Sequence, residues 1–237
     1  MCILLRRRLF FMSNPVRPMF QINIINEKAI EIVLGDSIDL TTHEKVMAWY
    51  RDLLSDPFPG FVSASPAYAS VCVLFEPEKT GKPHPVDAVS EYLQEREKKI
   101  AVGISQAKIT GGEVEVPVHY DGPDLEDVAA RLGMTTAEVV ALHSKTDYTV
   151  FMNGFLPGFP YLGPLPERLE LPRRNTPRER VPAGSVAIAG RQTGIYPQTS
   201  PGGWHLIGRT DLRLFDPFRD PPVRLQPGMR VRFVPVF

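Results

Sequence analysis

The sequence predicts a small α+β domain followed by a mainly-β barrel domain. Three observations carry that expectation. The first hundred residues show strand and helix patterns in the order strand, strand, helix, strand, strand, helix. Beyond Pro157 no helical period survives. Between Gly154 and Thr210, glycine and proline crowd among β-branched residues, as in short strands joined by shaped turns. With 237 residues and 43% hydrophobic content, the chain has room for two modest cores and the composition of a soluble globular protein.

Residues 1–18 are expected to be an unstructured extension. The apolar run at 2–5 is too short for a signal-peptide core and three arginines interrupt it, so Met12 or Met19 is as good a start as Met1. Residues 19–100 make the first domain. Runs 21–25 and 29–34 read as strands around Asn26-Glu27-Lys28. Thr41 and Glu44 form a capping box for a helix in which Val46, Trp49, Tyr50, Leu53 and Leu54 recur at helical spacing. Asp56-Pro57-Phe58-Pro59-Gly60 ends it, and runs 61–65 and 70–75 are β-rich on either side of a turn containing Pro66. Pro85 opens a second helix, with Val86, Val89 and Leu93 inward and Glu91, Glu95, Arg96, Glu97, Lys98 and Lys99 toward solvent. His43 and His84 read as solvated, and nothing in this domain has the pattern of a site.

Residues 101–237 make the second domain, with 101–110 as a linker or edge segment. Residues 112–120 alternate as a half-buried strand, Val114, Val116 and Val118 against Glu113, Glu115, Pro117 and His119. Gly122 is placed as the cap, and Pro123 as the first residue, of a helix burying Leu125, Val128, Ala129 and Leu132. Thr135 with Glu138 caps the next helix, which ends at His143, where a cation suits the dipole. A strand at 148–152 follows, and His205 falls on the barrel wall or surface.

The formal net charge of zero gives no footprint for nucleic acid and no polybasic membrane patch. It hides an asymmetry: residues 151–237 hold twelve arginines, no lysine and six acids. Arginine suits bidentate recognition of carboxylate, although base composition also favours it over lysine. Cys2 and Cys72 are the only cysteines, which excludes a disulfide framework or a cysteine-based metal site and points to the cytoplasm. No metal spacing links the histidines, and no apolar stretch reaches the roughly 18–20 residues of a membrane span. A phosphate-binding loop, a Gly-x-Ser-x-Gly elbow and a dinucleotide fingerprint are all absent, so no intrinsic cofactor is expected.

His119 and Asp121 are the candidate catalytic pair, at a strand end opening onto a helix N-terminus; the same residues equally fit a half-exposed strand position and a turn. The candidate binding residues stand among the glycine-proline turns. Gln192, Thr193 and Ser200 offer hydrogen bonds, Gly202 and Gly203 allow close backbone approach, and Arg173 or Arg209 can clamp a small carboxylate. Phe159, Tyr161, Tyr196 and Trp204 can wall the site.

These turns also carry a resemblance. Pro157-Gly158-Phe159-Pro160-Tyr161-Leu162-Gly163, Pro182-Ala183-Gly184-Ser185-Val186, Ile188-Ala189-Gly190-x-Gln192-Thr193-Gly194, Ser200-Pro201-Gly202-Gly203-Trp204 and Gly208-Arg209-Thr210 resemble the KipI family. Gly122-Pro123-Asp124-Leu125 and Pro227-Gly228-x-Arg230-Val231-x-Phe233 fit as well. The family is also called allophanate hydrolase subunit 1, and its better-defined members are B-type components of 5-oxoprolinase. The resemblance implies a cyclophilin-like barrel at the C-terminal end. It also implies two partners, a PxpC/KipA-like carboxyltransferase subunit and a PxpA-like barrel subunit, which together hydrolyse 5-oxo-L-proline to glutamate with ATP and Mg at the level of the complex. Two other activities belong to the same resemblance, inhibition of a histidine kinase and carboxyl transfer in urea or allophanate metabolism.

Overall fold

The computed structural model describes residues 20–104 and 112–236. Four antiparallel strands, β1 (Gln21–Asn26), β2 (Ala29–Val33), β3 (Phe61–Pro66) and β4 (Ser70–Phe75), form a first sheet in the order β1-β2-β4-β3. Helices α1 (Leu40–Ser55) and α2 (Pro85–Ile104) bury Val46, Trp49, Leu53, Val89 and Leu93 against Ile30, Ile32, Val71, Val73 and Phe75. The inward residues are those that the 3.6-residue period selects, and burying each large aliphatic side chain stabilises by about 1.5–3 kcal/mol.

Four details differ from the sequence reading. Asp39, not Thr41, caps α1, its carboxylate accepting from the Thr42 amide at 2.8 Å; an aspartate accepts this bond at least as well as threonine. Arg96 faces inward and is only 6% exposed. Its guanidinium donates to Asp52 at 2.5 Å and to the carboxylate and carbonyl of Asp56 at 3.0 and 2.7 Å, tying α2 to the end of α1. His43 is fully buried, with its ring edge-on to Phe151 at 4.7 Å between centroids. It therefore sits where α1 meets the second sheet, beside Met47, which lies over Gly228. The segment at 101–110 splits: α2 runs through Ile104, and 105–111 lie outside the described residues.

The second sheet has seven strands: β5 (Glu113–Val118), β6 (Asp147–Asn153), β7 (Pro160–Gly163), β9 (Ser185–Ala189), β10 (Gln192–Ile195), β12 (His205–Arg209) and β13 (Arg230–Pro235). Their order is β12-β9-β10-β7-β6-β13-β5, and only the β13–β5 pair is parallel. A two-stranded ribbon, β8 (Arg178–Val181) with β11 (Ser200–Gly202), flanks it. The edges curl toward each other. Beyond β5, His119 exchanges both backbone hydrogen bonds with Arg209 at 2.9 and 2.8 Å, and the amides of Gly122 and Asp124 continue onto β12. A Cβ on Gly122 would fall onto the backbone of Leu206 and Ile207, so this meeting of edges needs glycine there. The architecture is mixed α/β with a curled β half-barrel.

Helices α3 (Leu125–Leu132) and α4 (Thr136–Ser144) pack against the half-barrel, and Thr135–Glu138 forms the expected capping box. α3 starts at Leu125 rather than at Pro123, with Asp124 at its cap position but making no capping bond. His143 is not a helix-end cation: it is wholly buried and neutral, its pKa lowered to about 3 by burial. Its Nδ1 lies 2.7 Å from the Tyr120 hydroxyl and its Nε2 2.8 Å from Thr193 Oγ1. Thr193 donates onward to the Ala187 carbonyl at 3.1 Å, so it accepts from His143 Nε2–H, and Tyr120 donates to Nδ1. Among the described residues, no helix is long and apolar enough to cross a membrane.

Candidate functional site

Successive residues of β10 point to opposite faces, and this divides the candidate residues. Thr193 faces the main core and completes the His143 chain, which removes it from the side on which Gln192 lies. On that other face an aromatic patch forms. Phe159 contacts Tyr196 at 5.1 Å and Trp204 at 5.5 Å, both edge-on, and Tyr161 at 4.9 Å. Phe155, 60% exposed and at φ 63°, closes one side with its ring against Phe159 and Tyr196. Tyr68, from the turn between β3 and β4, reaches Tyr161 from the first sheet.

The segment carrying Arg173 is held to the half-barrel at several points. Leu171 pairs with Gly190, the Pro172 carbonyl accepts from His205 Nε2 at 2.9 Å, and the Arg174 amide donates to the Gly203 carbonyl at 2.8 Å. His205 is thus a buried brace rather than a surface group. Asp124 completes the anchorage. One carboxylate oxygen accepts from Arg174 at 2.8 Å and Arg178 at 2.6 Å, the other from the Leu206 amide at 2.7 Å. Burial pushes the Asp124 carboxyl up, but the bonds from Arg178 and Leu206 and the two guanidinium charges outweigh it and hold the pKa low.

Arg173 itself is exposed and, among the described residues, makes no ion pair. Its charge is felt by Tyr68, Tyr161 and Tyr196, opposing the rise that burial gives each phenol. Beside it, Gln192 Nε2, Arg174 Nε and Arg178 Nη1 are buried donors without partners. Unmet donors and an unpaired, exposed arginine whose charge reaches the edge of this buried ring cluster suit a small anion. A groove of about 470 Å³ beside Tyr68 is lined by Asn23, Glu31, Asp36 and Ser37 and no cation, so it suits a carboxylate poorly.

Of the residues expected to bind, Arg173, Gln192, Tyr196, Gly202, Gly203 and Trp204 thus gather around the patch. Ser200 lies in the β8–β11 ribbon, its hydroxyl donating to the Pro201 carbonyl at 3.1 Å. The candidate pair is elsewhere: Asp121 accepts from Arg209 Nε at 2.9 Å where the sheet edges meet, and no hydrogen bond joins it to His119. The length of β12, roughly 15 Å at about 3.3 Å per residue, separates Arg209 from Trp204. Sequence reasoning missed Tyr68, Asp124, Arg174 and Arg178. For Asp124 a signal existed, its place in the Gly-Pro-Asp-Leu run.

Gly202 and Gly203 differ in what they allow. A Cβ on Gly202 would strike the Tyr196 hydroxyl, whereas one on Gly203 finds its nearest neighbour, Pro177, at 3.7 Å. Gly202→Ala is therefore expected to cost about 1–3 kcal/mol by displacing Tyr196, and Gly203→Ala much less, read as the two melting temperatures.

Residues 20–225 match the family model described as carboxyltransferase domain, subdomain C and D. The B-type component of 5-oxoprolinase from Bacillus subtilis (strain 168) is 39% identical over 224 residues, 91% of this chain and 92% of that protein. Its counterpart from Escherichia coli O157:H7, also a B-type 5-oxoprolinase component, is 43% identical over 216 residues, 90% of this chain and 94% of that protein. The solved structure of TTHA0988 superposes with a TM-score of 0.76 at 38% identity, over 89% of this chain but only 40% of that longer chain. The chain belongs to the carboxyltransferase-domain family, subdomains C and D, alongside the B-type components of 5-oxoprolinase.

Proposed function

We propose that the chain is the B-type component of an ATP-dependent 5-oxoprolinase, hydrolysing 5-oxo-L-proline to L-glutamate only with its partner subunits. The observation that carries this reading is the near end-to-end match to two proteins of that name at 39% and 43% identity. The site agrees with it. 5-Oxoproline is a small apolar ring bearing one carboxylate and one ring amide, and the patch offers aromatic walls, a free guanidinium and an unpartnered side-chain amide.

In this reading the partners are a carboxyltransferase-like subunit and a barrel-type subunit, and ATP and Mg²⁺ enter at the level of the complex, in the cytoplasm. The chain divides into an α+β unit, residues 19–100, and a cyclophilin-like half-barrel unit, residues 101–237, with α2 carrying on to Ile104. Arg173, Gln192, Tyr196 and Trp204 bind the substrate, with Gly202 making room for the Tyr196 ring. Of the five histidines, three are buried and His84 lies in an exposed loop before α2. His119 stands at the rim where the sheet edges meet, the length of β12 from Trp204 and beyond hydrogen-bond reach of a substrate in the patch, so its proton transfer belongs to a step at that rim, in the part of the site shared with a partner subunit. Asp121, in the same turn, pairs with Arg209.

The test is reconstitution. The chain alone is expected to release no ADP with 5-oxoproline, and the chain mixed with both partners to release it in proportion to glutamate formed. His119→Ala is expected to lower that turnover at least roughly tenfold without dissolving the complex. Failure of the mixture to hydrolyse 5-oxoproline would overturn the function, and unchanged turnover in the variant would remove His119 from the chemistry.

A further inference from the structure

Tyr68 crosses from the first sheet to the aromatic patch on a braced turn. The Ala67 amide donates to the Ser70 carbonyl and the Leu34 amide to the Ala69 carbonyl, each at 2.8 Å, so the residues on both sides of Tyr68 are fixed. Its ring meets Phe151 at 5.9 Å and stands edge-on to Tyr161 at 5.9 Å. Phe151 in turn carries His43, so one run of ring contacts leads from α1 through Tyr68 to Tyr161 and Trp204. This seam fixes where the Tyr68 side chain ends.

It ends among the donors of the patch. Gln192 and Arg173 both oppose the burial that pushes the Tyr68 phenol up to about 12, so the hydroxyl keeps its proton at neutral pH. The hydroxyl lies near Gln192 without closing a hydrogen bond onto Nε2, which stays buried and unpartnered. An unmet buried donor costs about 1–3 kcal/mol, a cost that a ligand oxygen placed between the two groups removes. A phenol hydroxyl that feels both the Gln192 amide and the Arg173 charge, beside an amide N–H without a partner, matches an amide oxygen and a carboxylate on a single small molecule.

Resting on the function proposed above, we infer that Tyr68 is a substrate-binding residue: its hydroxyl and the Gln192 amide bind the ring-amide oxygen of 5-oxoproline while Arg173 takes the carboxylate. The first sheet then supplies part of the site. Tyr68→Phe keeps the ring contacts and removes only the hydroxyl, so its melting temperature should stay that of the wild type. In the reconstituted complex its KM for 5-oxoproline should rise about tenfold, the worth of one good hydrogen bond, with kcat held within roughly twofold. Inhibition by L-proline, which has the ring and the carboxylate but no ring-amide oxygen, should be unaltered. No turnover by the wild-type complex overturns the function and this inference together. Wild-type turnover with an unchanged KM in Tyr68→Phe, or equal weakening toward L-proline, overturns this inference alone.

Discussion

Asp124→Ala is expected to lower the stability of the protein by about 3–5 kcal/mol, the scale for breaking a buried ion pair from one side. The carboxylate is 3% exposed and takes two guanidinium donors and the Leu206 amide. Its removal leaves two partly buried cations facing each other across the vacated space and an amide with no acceptor. It also unfastens the segment that carries Arg173, since Arg174 and Arg178 lose the anchor that ties them to α3 and β12. Asp124→Asn should lose less, because an amide oxygen still accepts from Leu206 while the charge is gone. Urea denaturation of the two variants against the wild type measures both effects. A loss below about 1 kcal/mol for Asp124→Ala would show that the arginines find water instead.

Acid should destabilise the fold well before the carboxylates titrate. His43 has its pKa lowered from 6.5 to about 4, chiefly by burial and slightly by Arg51. The Val150 backbone pulls the other way but makes no hydrogen bond with the ring, both of whose nitrogens lack partners. His143 is lowered from 6.5 to about 3 by burial. Both bind a proton more readily unfolded than folded, so the unfolded state takes up protons as pH falls below 6.5. The stability they leave intact above pH 6.5 is lost progressively down to about pH 4 and then pH 3. His43 alone accounts for about 3 kcal/mol at 1.36 kcal/mol per unit. Asp124, held low in the folded state, adds its loss only at more acidic pH. Urea midpoints measured from pH 7 to 4 should fall, and His43→Leu should flatten part of that slope. A midpoint independent of pH over this range would mean that both imidazoles reach water when protonated.

How much of this was legible in the sequence follows from the range of each interaction. The strands of the first sheet, helices α1, α2 and α4 and the capping box at Thr135 were legible because each is written within a few residues. Charge misled at Arg96: a side chain that reads as surface is buried because Asp52 and Asp56, some 40 residues earlier, wait at the end of another helix. His43 misled for a related reason, since only the approach of α1 to β6 encloses it. The clustering of Phe159, Tyr196 and Trp204 follows from the turns, where Gly194 and Gly202 clear space for the Phe159 and Tyr196 rings. Thr193 adjoins Gln192 in sequence but points to the other face, and the pairing of Asp121 with Arg209 depends on the sheet curling until its edges meet. Tyr68 was beyond reach, since no local pattern tells how one sheet sits on the next.

The central claim is that an arginine at the edge of an aromatic patch takes the carboxylate of 5-oxoproline in an assembled enzyme. Steady-state kinetics of the reconstituted complex carrying Arg173→Ala test it most directly. Arg173 is exposed and unpaired among the described residues, so its removal should leave folding and assembly intact. The account predicts a KM for 5-oxoproline raised at least roughly tenfold, with kcat within about twofold of the wild type. An unchanged KM would contradict it.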